Sequence, residues 1–396
     1  MYIMKLFKSV ILTFLFIFIA TICNTCITYN NEQINIVNGL QPIDIRSPGF
    51  FWLLQPWKEG KLATIDGRGR FAEISFVGTN RMRITPLVNF PRMQLDRRLN
   101  TWPEAGLIVA QTADRMHHLA AIDDNITKSH IPMLTWQHII PAPVLVNHHE
   151  KLISYMYVPR NNSSEQSKLF IYNYKEDRIV FENPDNFSIT FSISMNDQYI
   201  LAQKRSFNES TNRMERRRVF YDWRTTESNE NDLTNELRRI QINLNLRTFF
   251  NNNLHKRYLF GNSEIFNERV MVTWDEDFSN IKTIPLSYLA PEGKRFRDFV
   301  TSSNGNWATT LIWGYRGLYN EDFHKRAFFH LDARYPNGIS MPIITDDYEE
   351  FQSEYSAFVN HPIHGMCFAQ EWRKNGRLYL RLYKMSDVLA EIDKQM

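Results

Sequence analysis

At 396 residues and 47.0 kDa the chain is heavy for its length, because 9 Trp, 17 Tyr and 28 Phe make aromatic side chains 14% of it. With 43% apolar residues, 15 Gly, 16 Pro and 3 Cys it can bury a large core, which excludes collagen-like, linker-like, disordered and disulfide-dense classes. The formal net charge is +3, but residues 1–25 hold two lysines and no acid, leaving 44 basic against 43 acidic side chains beyond them. That balance gives no argument for a nucleic-acid partner.

In chain order, Lys5 and Lys8 precede an apolar run over 10–22, the pattern of a secretory signal. Its helix would span about 20 Å, short of the roughly 30 Å hydrocarbon core. Residues 1–26 are therefore read as a signal peptide or N-terminal anchor, and the mature protein as periplasmic or secreted. Anchoring, or lipidation at Cys23 or Cys26, is the variant reading, disfavoured by Ile22 and Thr25 just before those cysteines. Membrane contact is expected only through this segment. Cys367, on an apolar stretch, is expected to be a buried small hydrophobe.

Downstream an internal repeat organises the chain. The segments FAEISF at 71–76, HLAAI at 118–122, KLFIYNY at 168–174 and RVFYDW at 218–223 share alternating bulky apolar positions. So do RVMVTW at 269–274, RAFFHL at 326–331 and RLYLRL at 377–382, and the mean spacing is about 51 residues. Each is preceded by a short strand-like run, such as KLATI at 61–65 or WATTLIW at 307–313, and often by another, such as RFRDFV at 295–300. A further run follows, as in RIVF at 178–181, ISMPII at 339–344 and VLAEI at 388–392. Four short strands per period predict an all-β chain forming a single β-propeller of seven four-stranded blades over residues 50–396. Residues 27–49 are an N-terminal extension, with 33–36 as a possible extra outer strand closing the ring. Residues 232–246 offer a short helix or polar insertion.

The turns SMNDQYILA at 194–202, SSNGNWATTL at 302–311 and NHPIHGMCFA at 360–369 resemble degenerate versions of the Ser-Pro-Asp-Gly turn and apolar strand of TolB-like and WD-repeat-like propellers. No blade carries that turn intact, nor the Gly-His and Trp-Asp pair of strict WD repeats. The resemblance implies a fold shared by protein-binding scaffolds, peptidase accessory domains and sugar-active enzymes, so function must come from a site.

Two classes of function follow. The first is an exported, non-enzymatic propeller, monomeric and without cofactor, that binds a protein, peptide or envelope glycan through loops between second and third strands. Three such loops are long, at 159–168, 203–217 and 314–325. The second of them is Arg-rich and supplies Arg205, Arg213, Arg216 and Arg217; the third supplies Tyr315, Arg316 and Tyr319. The alternative is a carbohydrate-active lyase or hydrolase with histidines or carboxylates at the axial pocket. His148, His361 and His364 are its candidate metal ligands, and the acidic runs 123–124, 275–277, 346–347 and 349–350 its candidate carboxylates. Those histidines and acids fall at predicted turns, where polar residues need no special reason. There is no nucleophile elbow, P-loop or dinucleotide fingerprint.

Overall fold

A computed structural model describes residues 40–88, 99–111, 117–128, 131, 144–157, 168–183, 193–194, 199–222, 224–225, 227–243, 248–291, 294–314, 325–345 and 356–396. The described part of each repeat segment falls on, or runs one residue past, the third hydrogen-bonded position of an antiparallel sheet, and seven such sheets follow one another along the chain. The first is Phe51–Pro56, Leu62–Asp66, Phe71–Phe76 and Met82–Val88, hydrogen-bonded in that order. The second runs Leu99–Trp102, Leu107–Gln111, His117–Ala121 and Ile126–Lys128, and the third Val144–Asn147, Leu152–Tyr157, Lys168–Asn173 and Arg178–Asn183. The fourth is Ile193–Ser194, Tyr199–Asn208, Arg213–Asp222 and Glu227–Asn229. In the fifth, Ile242–Asn243 and Phe249–Asn251 both pair with Lys256–Ser263, followed by Glu268–Trp274 and Lys282–Pro285. The sixth is Lys294–Thr301, Trp307–Gly314, Lys325–His330 and Ile343–Ile344.

The seventh sheet departs from the sequence expectation. Ser356–His361, Gly365–Lys374 and Arg377–Lys384 supply three strands, and the outer position is taken by Ile43–Arg46 from the opposite end of the chain. VLAEI at 388–392, expected as a strand, lies in the helix Met385–Asp393. The reason is spacing: Met385, Val388 and Ile392 are the buried positions, three and four residues apart, which is helical and not alternating. The closing strand is thus Ile43–Arg46, whereas residues 33–36 lie outside the described residues. A second helix, Asp232–Arg239, starts from an Asn231–Thr234 capping box within the 232–246 insertion.

Every sheet covers the next. Trp52, Ile65 and Phe71 pack on Ile108, Ala110 and Ala120 between the first and second sheets. Trp102, Leu107 and Leu119 meet Tyr155, Phe170 and Tyr172 at the next seam, and Leu169 and Ile171 meet Val219 after that. Leu201 and Phe220 pack with Leu259, Val270 and Val272. Phe260 stacks on Phe299 with centroids 4.1 Å apart, and Trp307 and Phe328 pack with Phe358 and Phe368. Finally Ala357, Val359 and Leu380 of the last sheet join Phe51, Leu54 and Ile74 of the first. The chain is therefore a single all-β propeller. Because sheets are covered on both faces, strands such as Leu62–Asp66 are buried along their whole length instead of alternating.

Fifteen glycines are few for 396 residues, about 4% against an average of roughly 7%, and asparagine takes part of their role. Asn125, Asn212, Asn267, Asn280, Asn337 and Asn375 all hold positive φ between 52° and 59°, occupying left-handed turn positions where glycine is the usual residue. Glycine is kept where backbones approach closely: at Gly60 a Cβ would collide with the Asn360 carbonyl across the last seam. Cys367 is buried as expected, and burial pushes its thiol up to about 12. Among the described residues no helix is long and apolar enough to cross a membrane.

The Ile43–Arg46 strand is held by four register pairs with Tyr379–Leu382 and by a bidentate ion pair, Arg381 to Asp44, at 2.7 and 2.9 Å. The Arg381 side chain is only 8% exposed, so removing its carboxylate strands a buried guanidinium. Asp44→Ala should lower unfolding free energy by about 1–3 kcal/mol in urea titration. Ile45→Ala, emptying a fully buried site, should cost about 2–4 kcal/mol. Unchanged midpoints in both variants would mean that this strand does not close the ring.

Candidate binding face

Since the sheets share one strand order, their second-to-third connections emerge at one end of the ring. In the first sheet the connection is the tight 67–70 turn, built on Asp66. Asp66 accepts the amides of Arg68 and Arg70 and two guanidinium bonds from Arg70 at 2.9 and 2.7 Å. Burial works against ionisation there, but those donors hold the carboxyl below its ordinary range.

In the fourth sheet, what the sequence suggested as a loop over 203–217 is a hairpin. Tyr199–Asn208 and Arg213–Asp222 pair continuously through ten residues each, and only 209–212 turn. The tip forms because Asn208 Oδ1 accepts the Ser210 amide at 3.0 Å and the Ser210 hydroxyl at 2.6 Å, with Asn212 in the left-handed region. The flanking strands stop early: Ile193–Ser194 reaches only Ile200 and Leu201, and Glu227–Asn229 only 220–222. Among the described strands, residues 203–208 and 213–218 therefore form a two-stranded ribbon beyond the sheet. The physical reason the sequence misled is composition, since a run of Lys, Arg, Ser, Asn and Glu reads as solvated loop although both edges can still hydrogen-bond to each other.

Register brings four of the basic residues into direct opposition: Lys204 faces Arg217, and Arg205 faces Arg216. Asn208 faces Arg213, which is exposed. Arg205, Arg213, Arg216 and Arg217 are thus gathered on one ribbon, whereas Tyr315, Arg316 and Tyr319 lie outside the described residues.

A second cluster, not singled out in the sequence, sits beside the 375–376 turn of the last sheet. Arg381 lies 3.6 Å over the Trp372 ring, and Arg373 lies 5.4 Å over the ring of half-exposed Phe50 while bonding Glu371 at 3.0 Å. Burial raises the Glu371 carboxyl, against the pull of Arg373. The EWRKNGR run at 371–377, charges around a Trp before an Asn-Gly turn, was its available signal.

The candidates for the carbohydrate-active reading separate. His148 lies tilted against His149 in the turn between the first two strands of the third sheet, while His361 and His364 share the corresponding turn of the seventh, 4.5 Å between rings. Among the described residues no three His, Cys, Asp or Glu gather as metal ligands. The described acids are engaged in turns and ion pairs: Asp123 with Lys58, Asp124 with Lys151 at 2.7 Å, Asp275 with Lys256 at 2.6 Å. The first two brace neighbouring sheets, as does Arg224 on Glu150 at 2.8 Å. Residues 346–347 and 349–350 lie outside the described residues.

No family model matches the chain, and no curated protein matches it. Solved structures that it resembles include an oligogalacturonate lyase in complex with manganese, at 9% identity and TM-score 0.49, covering 87% of this chain and 96% of that one. The propeller domain of the Trilobed protease from Pyrococcus furiosus matches at 11% and 0.45, over 85% and 94%. The Cps50 (Swd1) propeller domain from Myceliophteria thermophila matches at 12% and 0.47, over 87% and 99%.

His361 yields a test of its turn. The Ile363 and His364 amides donate to its Nδ1 at 3.1 and 3.2 Å, so that nitrogen must stay unprotonated while the turn is intact. Burial, with His364 acting in the same direction, lowers the ring from 6.5 to about 4. A depressed histidine favours the folded state only while neutral. Its contribution is full above pH 6.5 and is lost progressively down to about pH 4. Thermal midpoints should therefore fall over that window in the native protein and fall less in His361→Asn, whose side-chain oxygen can accept the same amides without titrating. Parallel pH profiles for the two proteins would refute this role.

Proposed function

We propose that the protein is an exported, non-enzymatic propeller, each of its seven sheets serving as one blade, that captures a protein, peptide or envelope glycan on the face bearing the second-to-third strand connections. The observation that carries this reading is the 203–218 ribbon. The register sets the basic positions Lys204 and Arg217, and Arg205 and Arg216, opposite each other, which gathers positive charge that an anionic ligand would complement. The basic n-region and apolar run over 10–22 support export. Neither a cofactor nor a second subunit enters the proposed activity. The carbohydrate-active alternative is not adopted, because the described acids named for it already hold turns and inter-sheet ion pairs.

Residues 203–218 can be replaced by a two-residue Asn-Gly turn, since Ala202 and Val219 are register partners. The shortened protein should melt within a few degrees of the native one and lose the envelope partner that the native protein captures by crosslinking. Retention of the same partner would overturn the reading. Mass spectrometry of the exported protein should find a mature N-terminus near residue 27; Met1 on a protein confined to the cytoplasm would overturn export.

A further inference from the structure

We infer that the ribbon takes an acidic, extended segment of a partner protein, added as a third strand along the outer edge of residues 213–218; this rests on the reading just given. Among the described strands, that edge is paired only from Phe220 onward, by Glu227–Asn229. Its remaining backbone groups offer the ladder on which an extended peptide can add. The edge is also the arginine-rich one: Arg213, Arg216, Arg217 and Arg218 lie on it, against Lys204 and Arg205 on the other strand. Backbone alternation puts positions 213, 215 and 217 on one face and 214, 216 and 218 on the other, so arginine positions occur on both. A guanidinium fork matches a carboxylate better than a lysine ammonium does.

Charge selects the occupant. Residues 203–218 contain six basic and two acidic side chains, net +4, against +3 for the whole chain, so everything outside the ribbon is net −1. A second copy of the ribbon on this edge would set arginines against arginines, which repel. Edge charge does guard strands against unwanted pairing, but one or two lysines suffice for that. Four arginines on a single short strand, opposite two more cations, create a field that an acidic strand neutralises while its backbone completes the ladder.

The test uses the full mature protein and a ten-residue peptide of alternating Glu and Thr, with binding read by fluorescence anisotropy. A second peptide of the same sequence is N-methylated at every amide, which keeps its charge but removes every donor to the ladder, and it should bind at least tenfold more weakly. Serine at Arg213, Arg216, Arg217 and Arg218 should weaken the parent peptide at least tenfold, with circular dichroism unchanged. Equal binding by the methylated peptide would show attraction by charge alone and overturn the strand assignment. So would tighter binding of polygalacturonate or of a single-stranded oligonucleotide at matched charge, or no binding of the parent peptide. If the shortened protein loses its envelope partner while the peptide fails to bind, only the strand inference falls. If the shortened protein keeps that partner, the underlying reading falls as well.

Discussion

A four-stranded sheet with two apolar faces is stable only if both are covered, and in this chain each sheet finds its cover in its neighbours. The requirement is circular: the first sheet is satisfied only when the last one reaches it. Ile43–Arg46 meets that condition by lending the last sheet its fourth strand, so that the two ends of the propeller domain are joined by hydrogen bonds and by the Asp44–Arg381 pair. Closing the loop this way spans more than 330 residues, and the entropic cost grows only slowly with such length. The seam it completes is packed by Phe51, Leu54, Val359 and Leu380.

Around this ring, charge is used mainly for bracing. Lys58 with Asp123, Lys151 with Asp124, Lys128 with Asp177 and Arg224 with Glu150 each join consecutive sheets across their turns. Pairs at partly exposed positions contribute little individually. The ribbon of the fourth sheet is the contrasting case. There the backbone register sets Lys204 opposite Arg217 and Arg205 opposite Arg216.

The repeat was legible because the third strand of each sheet is clamped between two neighbours and so must alternate or run apolar. RVMVTW and RAFFHL show this directly, with nearly every position buried. VLAEI was misread because a five-residue apolar run fits either period, and only the packing of Met385, Val388 and Ile392 against the last sheets separates them. The 203–217 segment was misread for the opposite reason. Its polar side chains say nothing about backbone pairing, and the ladder of ten residues per strand is a property of the hairpin and not of composition. The Arg373–Phe50 contact escaped notice because Phe50 lies more than 300 residues before Arg373.

By itself the sequence determined the repeat, the all-β propeller and the basic character of one segment, since these depend on local periodicity and composition. Tertiary structure alone decided which strand closes the ring, which aromatic ring fills which seam, and that the basic segment is a ribbon with opposed cations. The physical reason is that pairing and register are set by partners distant in sequence. Asp44 finds Arg381, and Arg205 finds Arg216, only when the chain has folded back on itself.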